Sequence, residues 1–168
     1  PDFTSLPDAV AIQLNDTHPA VSVAELLRLL IDVHGLDFDT AFDIVRRTVS
    51  YTNHTLLPEA LETWTIPLFE RLLPRHMQLV YAINAKVLRE AREAGGFDDV
   101  GIRSISLIEE SGERRVRMGN LAFVGSHSTN GVSALHTELM KETVFADLHR
   151  LYPDRINNKT NGITPRRW

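Results

Sequence analysis

Four short polar strings hold most of the side chains able to do chemistry. "NDTHP" puts the amide of Asn15, the carboxylate of Asp16 and the imidazole of His18 in one run, "YTNHT" carries His54, "HSTNGV" carries His127, Asn130 and Val132, and "KTNGIT" carries Asn161. Amides donate and accept, carboxylates accept, and imidazoles do either, so such groups held at fixed separations on a rigid edge suit a neutral polyhydroxyl ligand. Each string also has an ordinary reading. Asp16 can cap a strand-end turn, His54 can be a buried, satisfied histidine, and Asn130 with Gly131 can form a turn. Glu62, after "LLPEAL", reads by default as a solvated helix residue. Taken singly, none of these signals is specific.

Other chemistries find less support. Seven histidines are scattered without H-x-H, H-E-x-x-H or paired-Cys spacing, so no metal site is expected. Ser126 precedes His127, but no G-x-S-x-G elbow surrounds it, and no phosphate-cradling P-loop is present. With no cysteine, thiolate chemistry and disulfides are excluded. A net charge of -4 argues against nucleic acid or an anionic membrane as the main partner, since either calls for a dominant basic surface. No apolar run approaches the length of a bilayer span, and the chain is expected to be soluble.

The elements that must position these strings are readable from periodicity. "AVAIQL", residues 9–14, is a short apolar run that fits a buried strand delivering the "NDTHP" loop. Ser22 and Glu25 stand in the S-x-x-E relation of a capping box ahead of a stripe of Val23, Leu26, Leu27, Leu30 and Val33. A second helix is expected over 38–48, and a long one from Pro74 with Gly95 placed to end it. Residues 105–109 and 114–118 alternate around "ESGE" and suggest a hairpin. "LAFVGS" is read as an apolar run feeding the loop "SHSTNGVS", followed by a helix over about 134–148. The organisation is α/β, with polar loops set between apolar elements. Thr164 and Pro165 read as the cap and first position of a helix, and the opening "PDFTSLPDAV" has no initiator Met or targeting pattern. The chain is therefore expected to be an internal piece of a longer one.

The strings "AIQLNDTHP", "YTNHTLLPEALE", "LLPRH", "GSHSTNGV" and "NKTNGITPRRW" resemble, in this order, the middle of the α-glucan phosphorylases, the family of glycogen, starch and maltodextrin phosphorylases. The resemblance implies a two-domain, Rossmann-like GT-B glycosyltransferase fold, with residues 1–156 ending the N-terminal domain and 157–168 beginning the C-terminal one. It implies phosphorolysis of the non-reducing-end glucosyl unit of an α-1,4-glucan by inorganic phosphate, yielding glucose 1-phosphate. The cofactor implied is pyridoxal 5'-phosphate, and no lysine here sits in a motif matching its attachment site. A cytoplasmic homodimer is implied for the intact protein.

Site roles follow from the same resemblance. His54 matches the catalytic histidine whose carbonyl and ring face the reacting glucosyl unit, and Asn161 matches an amide that binds sugar hydroxyls across the cleft. Asn15, Asp16, His18, Glu62, His127, Asn130 and Val132 match substrate-binding positions, and Trp168 matches an aromatic beside the cofactor. The family's proton transfer runs through phosphate groups, so neither Asp16 nor Glu62 is expected to be an acid or nucleophile. A nucleotide-sugar glycosyltransferase and a non-catalytic carbohydrate-binding scaffold remain the competing classes.

Overall fold

The protein is described by a computed structural model covering residues 2–167. In chain order the elements are α1 (Leu6–Ala9), β1 (Ile12–Asn15), α2 (Val21–Arg28), α3 (Phe38–Thr48), β2 (Val49–Thr52), β3 (Thr63–Thr65), α4 (Ile66–Leu72), α5 (Pro74–Ala94), α6 (Asp99–Ile105), β4 (Ile108–Glu109), β5 (Arg115–Arg117), α7 (Met118–Val124), β6 (Ser128–Gly131), α8 (Ala134–Glu142), α9 (Ala146–Leu151) and β7 (Ile156–Asn158). Four strands form an all-parallel sheet in the order β1-β2-β6-β7, and β3-β5-β4 form a small antiparallel sheet. The α/β class with a parallel sheet is as expected.

The two faces of the parallel sheet differ in chemistry. Leu14, Val49, Tyr51, Thr129 and Ile156 are buried, together with Val23, Ala24 and Leu27 of α2 and Phe42, Ile44 and Val45 of α3. Each large side chain among them contributes about 1.5–3 kcal/mol by leaving water. On the opposite face Gln13 Nε2 donates to Thr52 Oγ1 (2.8 Å), Thr52 Oγ1 donates to Asn130 Oδ1 (2.8 Å), and Asn157 Nδ2 donates to Ser128 Oγ (2.7 Å). This polar ladder crosses the strands at the registers Thr52↔Asn130 and Asn130↔Asn157.

Local signals set the helices that support the sheet. Asp37 Oδ1 accepts the Thr40 N–H at 2.9 Å and starts α3, and that bond holds its carboxyl below the usual range. The long helix runs over Pro74–Ala94 as expected, and Gly95 ends it at φ 73°, a conformation that side chains with a Cβ adopt at a cost.

Several expectations are corrected. Ser22 and Glu25 form no capping box: α2 begins at Val21, Ser22 Oγ donates to Pro19 O, and Glu25 instead pairs with Arg28 and His76. The first strand starts at Ile12, because residues 6–9 are helical. The hairpin exists as β4 and β5 but is shorter than the alternation suggested, since Ile105 belongs to α6. The apolar run is helix α7, buried on every side, which explains its lack of periodicity. "STNG" is not a loop: it is strand β6, one residue up and one down on a sheet with a polar face. The helix expected over 134–148 is broken into α8 and α9. Residues 165–167 form a turn in which the Arg167 N–H meets Thr164 O at 2.9 Å.

Candidate functional site at the carboxyl edge of the parallel sheet

Parallel strands end in register, so their carboxyl ends deliver successive loops to one edge, where open α/β sheets bind ligands. Here Asn15 ends β1 and Asp16 follows it, Asn53 and His54 follow β2, Val132 follows β6, and Lys159 to Asn161 follow β7. The loops are stitched by backbone bonds: Asp16 N–H to Thr52 O (2.9 Å), Asn53 N–H to Asn130 O (3.0 Å), Lys159 N–H to Gly131 O (3.1 Å) and Asn161 N–H to Val132 O (2.9 Å).

Asp16 is the one non-glycine among the described residues with positive φ, at 63°. Its Oδ1 accepts the N–H of Thr17 at 2.7 Å and its Oδ2 accepts the N–H of His54 at 3.1 Å. Its carboxylate therefore braces two peptides. The His54 Nε2 lies 2.9 Å from Asn15 Oδ1, so the exposed imidazole is tethered to β1 rather than buried. Glu62 is not a helix residue: its Oε2 accepts from Thr17 Oγ1 (2.7 Å) and its Oε1 from Trp64 Nε1 (2.8 Å), which ties the "NDTHP" loop to β3.

A second set of bonds links β6, α8 and β2. The Val132 N–H donates to His136 Nδ1 at 3.1 Å, His136 Nε2 lies 3.0 Å from Asn53 Oδ1, and Asn53 Nδ2 donates to Tyr51 OH at 3.0 Å. Because Nδ1 accepts, the ring proton is on Nε2 and donates to Asn53. Burial, with the neighbouring His54, pushes the His136 pKa down, consistent with a neutral ring. Burial raises that of the Tyr51 hydroxyl. Gly131 allows this closeness: a Cβ there would collide with Thr137 Oγ1 and stand 2.9 Å from the Thr137 Cα.

Of the residues flagged by sequence, Asn15, Asp16, His54, Val132 and Asn161 reach this edge, Glu62 joins it through Thr17, and His18 lies exposed in the adjoining turn. Asn130 points along the polar ladder. His127 sits at the other end of β6, where its N–H bonds Val49 O and its Nδ1 lies 3.2 Å from Arg46 O. It nevertheless lines, with Asn130, Lys159 and Asn161, a concavity of about 580 Å³ over the polar face. Trp168 lies outside the described residues. Thr17, Asn53 and His136 join the site only through the fold, although Ser133 and His136 have the spacing of a helix cap, and the Ser133 Oγ does accept the His136 N–H (3.1 Å). A larger cavity of about 800 Å³, edged by Leu88, Val100, Ile102, Arg92 and Arg117, contains none of the flagged residues.

Among the described residues no group of three His, Asp or Glu is placed to hold a metal ion, and no helix is long and apolar enough to cross a membrane. The fold and edge define a parallel α/β protein whose strand-end loops gather amide, carboxylate and imidazole groups on one edge. Residues 1–168 match the carbohydrate phosphorylase family, and the chain belongs to it. It is 51% identical over 166 residues to the brain form of glycogen phosphorylase from Homo sapiens and from Rattus norvegicus, covering 99% of this chain. It is 50% identical over 167 residues to the human muscle form. The chain spans 20% of the length of these relatives.

Proposed function

We propose that the protein containing this chain is an α-1,4-glucan phosphorylase that transfers the non-reducing-end glucosyl unit to inorganic phosphate and releases glucose 1-phosphate. The observation that carries the reading is the gathering of Asn15, Asp16, His54, Val132 and Asn161 on one sheet edge in a chain matched along its whole length to the family. In this reading residues 1–156 end the N-terminal domain of a GT-B pair and 157–168 begin the second, the sugar lying between them.

The roles follow from chemistry. The carbonyl and ring of His54 face the reacting glucosyl unit, where a fixed dipole favours developing positive charge. The Asn161 amide donates to and accepts from sugar hydroxyls. Asp16 acts through His54: with both carboxylate oxygens engaged by peptides, it orients rather than binds. Asn15 holds the imidazole, and His18, Glu62, His127, Asn130 and Val132 line the approach of the glucan.

Pyridoxal phosphate is the cofactor of the intact enzyme in this reading, but the residues of this chain do not fit it by themselves. Lys86 pairs with Asp39 and Glu90, Lys141 pairs with Glu138, and Lys159 is an exposed residue after β7. No step is therefore assigned through it. A cytoplasmic homodimer acting on glucan and phosphate, without nucleic acid or membrane, completes the proposal. The test is phosphate-dependent release of glucose 1-phosphate from a linear maltodextrin by the whole protein. Glucosyl transfer that needs a nucleotide sugar and ignores phosphate would overturn it.

A further inference from the structure

We propose that His136 is a positioning residue for the reaction, a neutral imidazole that holds the Val132 peptide in the orientation that seats Asn161. The inference rests on the phosphorylase reading and goes beyond it, because His136 belongs to none of the loops that face the sugar. It sits on the first turn of α8, and its ring joins the residue after β6 to the residue after β2. At Nδ1 it takes the Val132 N–H (3.1 Å); on the far side of the same residue, Val132 O takes the Asn161 N–H (2.9 Å). One residue, Val132, therefore joins the imidazole, through its N–H, to the backbone of Asn161, through its carbonyl. At Nε2 the ring meets Asn53 Oδ1 (3.0 Å), and Asn53 is fully buried, bonded to Tyr51 OH, and adjacent in sequence to His54. His136 is thus the bridge between the loop carrying His54 and the loop carrying Asn161, the two groups proposed to approach the same glucosyl unit from opposite sides.

The geometry requires a lone pair on Nδ1 and a proton on Nε2. A proton on Nδ1 would set two N–H groups against each other and release the Val132 peptide. A lysine or arginine could not serve, since neither can accept. The close approach of β6 to α8, which leaves no room for a Cβ at Gly131, keeps the Val132 N–H within reach.

Two isosteres separate the two halves of the bridge. The Oδ1 of His136→Asn can stand where Nδ1 stands and accept from Val132, but the shorter side chain cannot donate to Asn53. The Nε2 of His136→Gln can stand where the imidazole Nε2 stands and donate to Asn53, but cannot accept from Val132. Asparagine has about the helix propensity of histidine and glutamine is the better helix former, so a loss confined to the glutamine variant is not a folding effect. In the whole protein, His136→Gln and His136→Ala are expected to lower kcat/KM for phosphorolysis by about 10²-fold, as a misplaced binding group does, while His136→Asn stays within a few-fold of the parent. Amide exchange read on peptides spanning residues 128–133 and 157–162 gives an arm independent of activity: exchange at Val132 and Asn161 should quicken in the glutamine variant and not in the asparagine variant. If both variants lose activity equally and in step with their melting temperatures, or if exchange at Val132 is the same in both, His136 is structural only and the proposal falls. If the parent protein shows no phosphorolysis, the functional reading fails, and exchange alone decides whether His136 holds the Val132 peptide.

Discussion

Asp16 Oδ2 accepts the peptide N–H of His54 at 3.1 Å from a residue whose own backbone sits at φ 63°. A β-carbon in that conformation costs about 1–3 kcal/mol and persists only where the surroundings hold it, and here the carboxylate's bonds to Thr17 and His54 do so. The strain and the bracing of the His54 peptide are one arrangement.

Replacing Asp16 by Gly removes the strain and the brace together. The variant is expected to keep its melting temperature within a few degrees, or raise it, while kcat of the whole protein falls by about 10²-fold through loss of His54 orientation. Asp16→Asn tolerates positive φ but has one oxygen to accept with, so it should fall between the two. Melting curves and steady-state kinetics on the same preparations check both; a glycine variant with unchanged kcat would remove the brace from the mechanism.

Asn161 is tied to Val132 through its backbone N–H, which survives any non-proline substitution. Asn161→Ala therefore deletes the side-chain amide alone. At saturating phosphate, kcat and kcat/KM should drop together by about 10²-fold, roughly 3 kcal/mol of transition-state stabilisation, with no change in melting temperature. A stability loss with kinetics intact would mark a turn residue instead.

Glu90 supplies an acid partner to a cationic cluster beneath the sheet. It takes two bonds from Arg46 (3.2 and 3.1 Å) and one from Tyr152, whose ring lies 3.7 Å from the Arg155 guanidinium. Removing it leaves Arg46 and Arg155 facing each other in a mostly desolvated setting, so Glu90→Ala should cost about 3 kcal/mol or more. Denaturant unfolding of the chain measures this, and per-molecule activity of the folded whole protein should be unaffected, because the cluster lies away from the carboxyl edge.

Glu25 gives a pH-dependent test. Its bonds with Arg28 first, and then with His76, hold its carboxyl at about 2 against an ordinary 4.5. A carboxyl depressed in the folded state stabilises fully above 4.5, and that contribution fades as pH falls through about 2. The side chain is 40% exposed, so solvent screening limits the effect to about 0.5 kcal/mol. The melting temperature of the parent should exceed that of Glu25→Gln near neutral pH and converge with it in strong acid. A gap that widens on acidification would contradict the sign.

What could be read from sequence was what local chemistry decides. The apolar spacing over 38–48, and Pro74 and Gly95 bracketing a longer stripe, need no partner to declare themselves, and α3 and α5 lie where expected. Strand β6 could not be read that way. Its "STNG" has only Thr129 and Gly131 turned to the core, and a buried strand in a parallel sheet is expected to be apolar. The polar ladder that makes Ser128 and Asn130 good strand residues comes from β2 and β7, both distant in sequence. The same holds for the site. Asn15, Asp16, His54 and Asn161 stand out by type, whereas Asn53 and His136 matter because α8, packed on β6 and β7, reaches the residue that follows β2, which no short window of sequence records.

The polar edge is also expected to be the last part of the molecule to form. Its bonds join residues 38 apart for Asp16 and His54, 78 for Thr52 and Asn130, and 83 for Asn53 and His136. Each doubling of a closed loop adds only about 0.6 kcal/mol of entropy, so the cost of such closures is bearable, but none is repaid until the next strand docks and the order of events is fixed. Helices such as α3 and α5 need only their own turns and an apolar neighbour, and can gather before any strand is paired. A chain stopped part-way, by denaturant or by incomplete synthesis, is thus rich in helix and empty of recognition: refolding monitored by far-ultraviolet dichroism should run ahead of refolding monitored by ligand affinity.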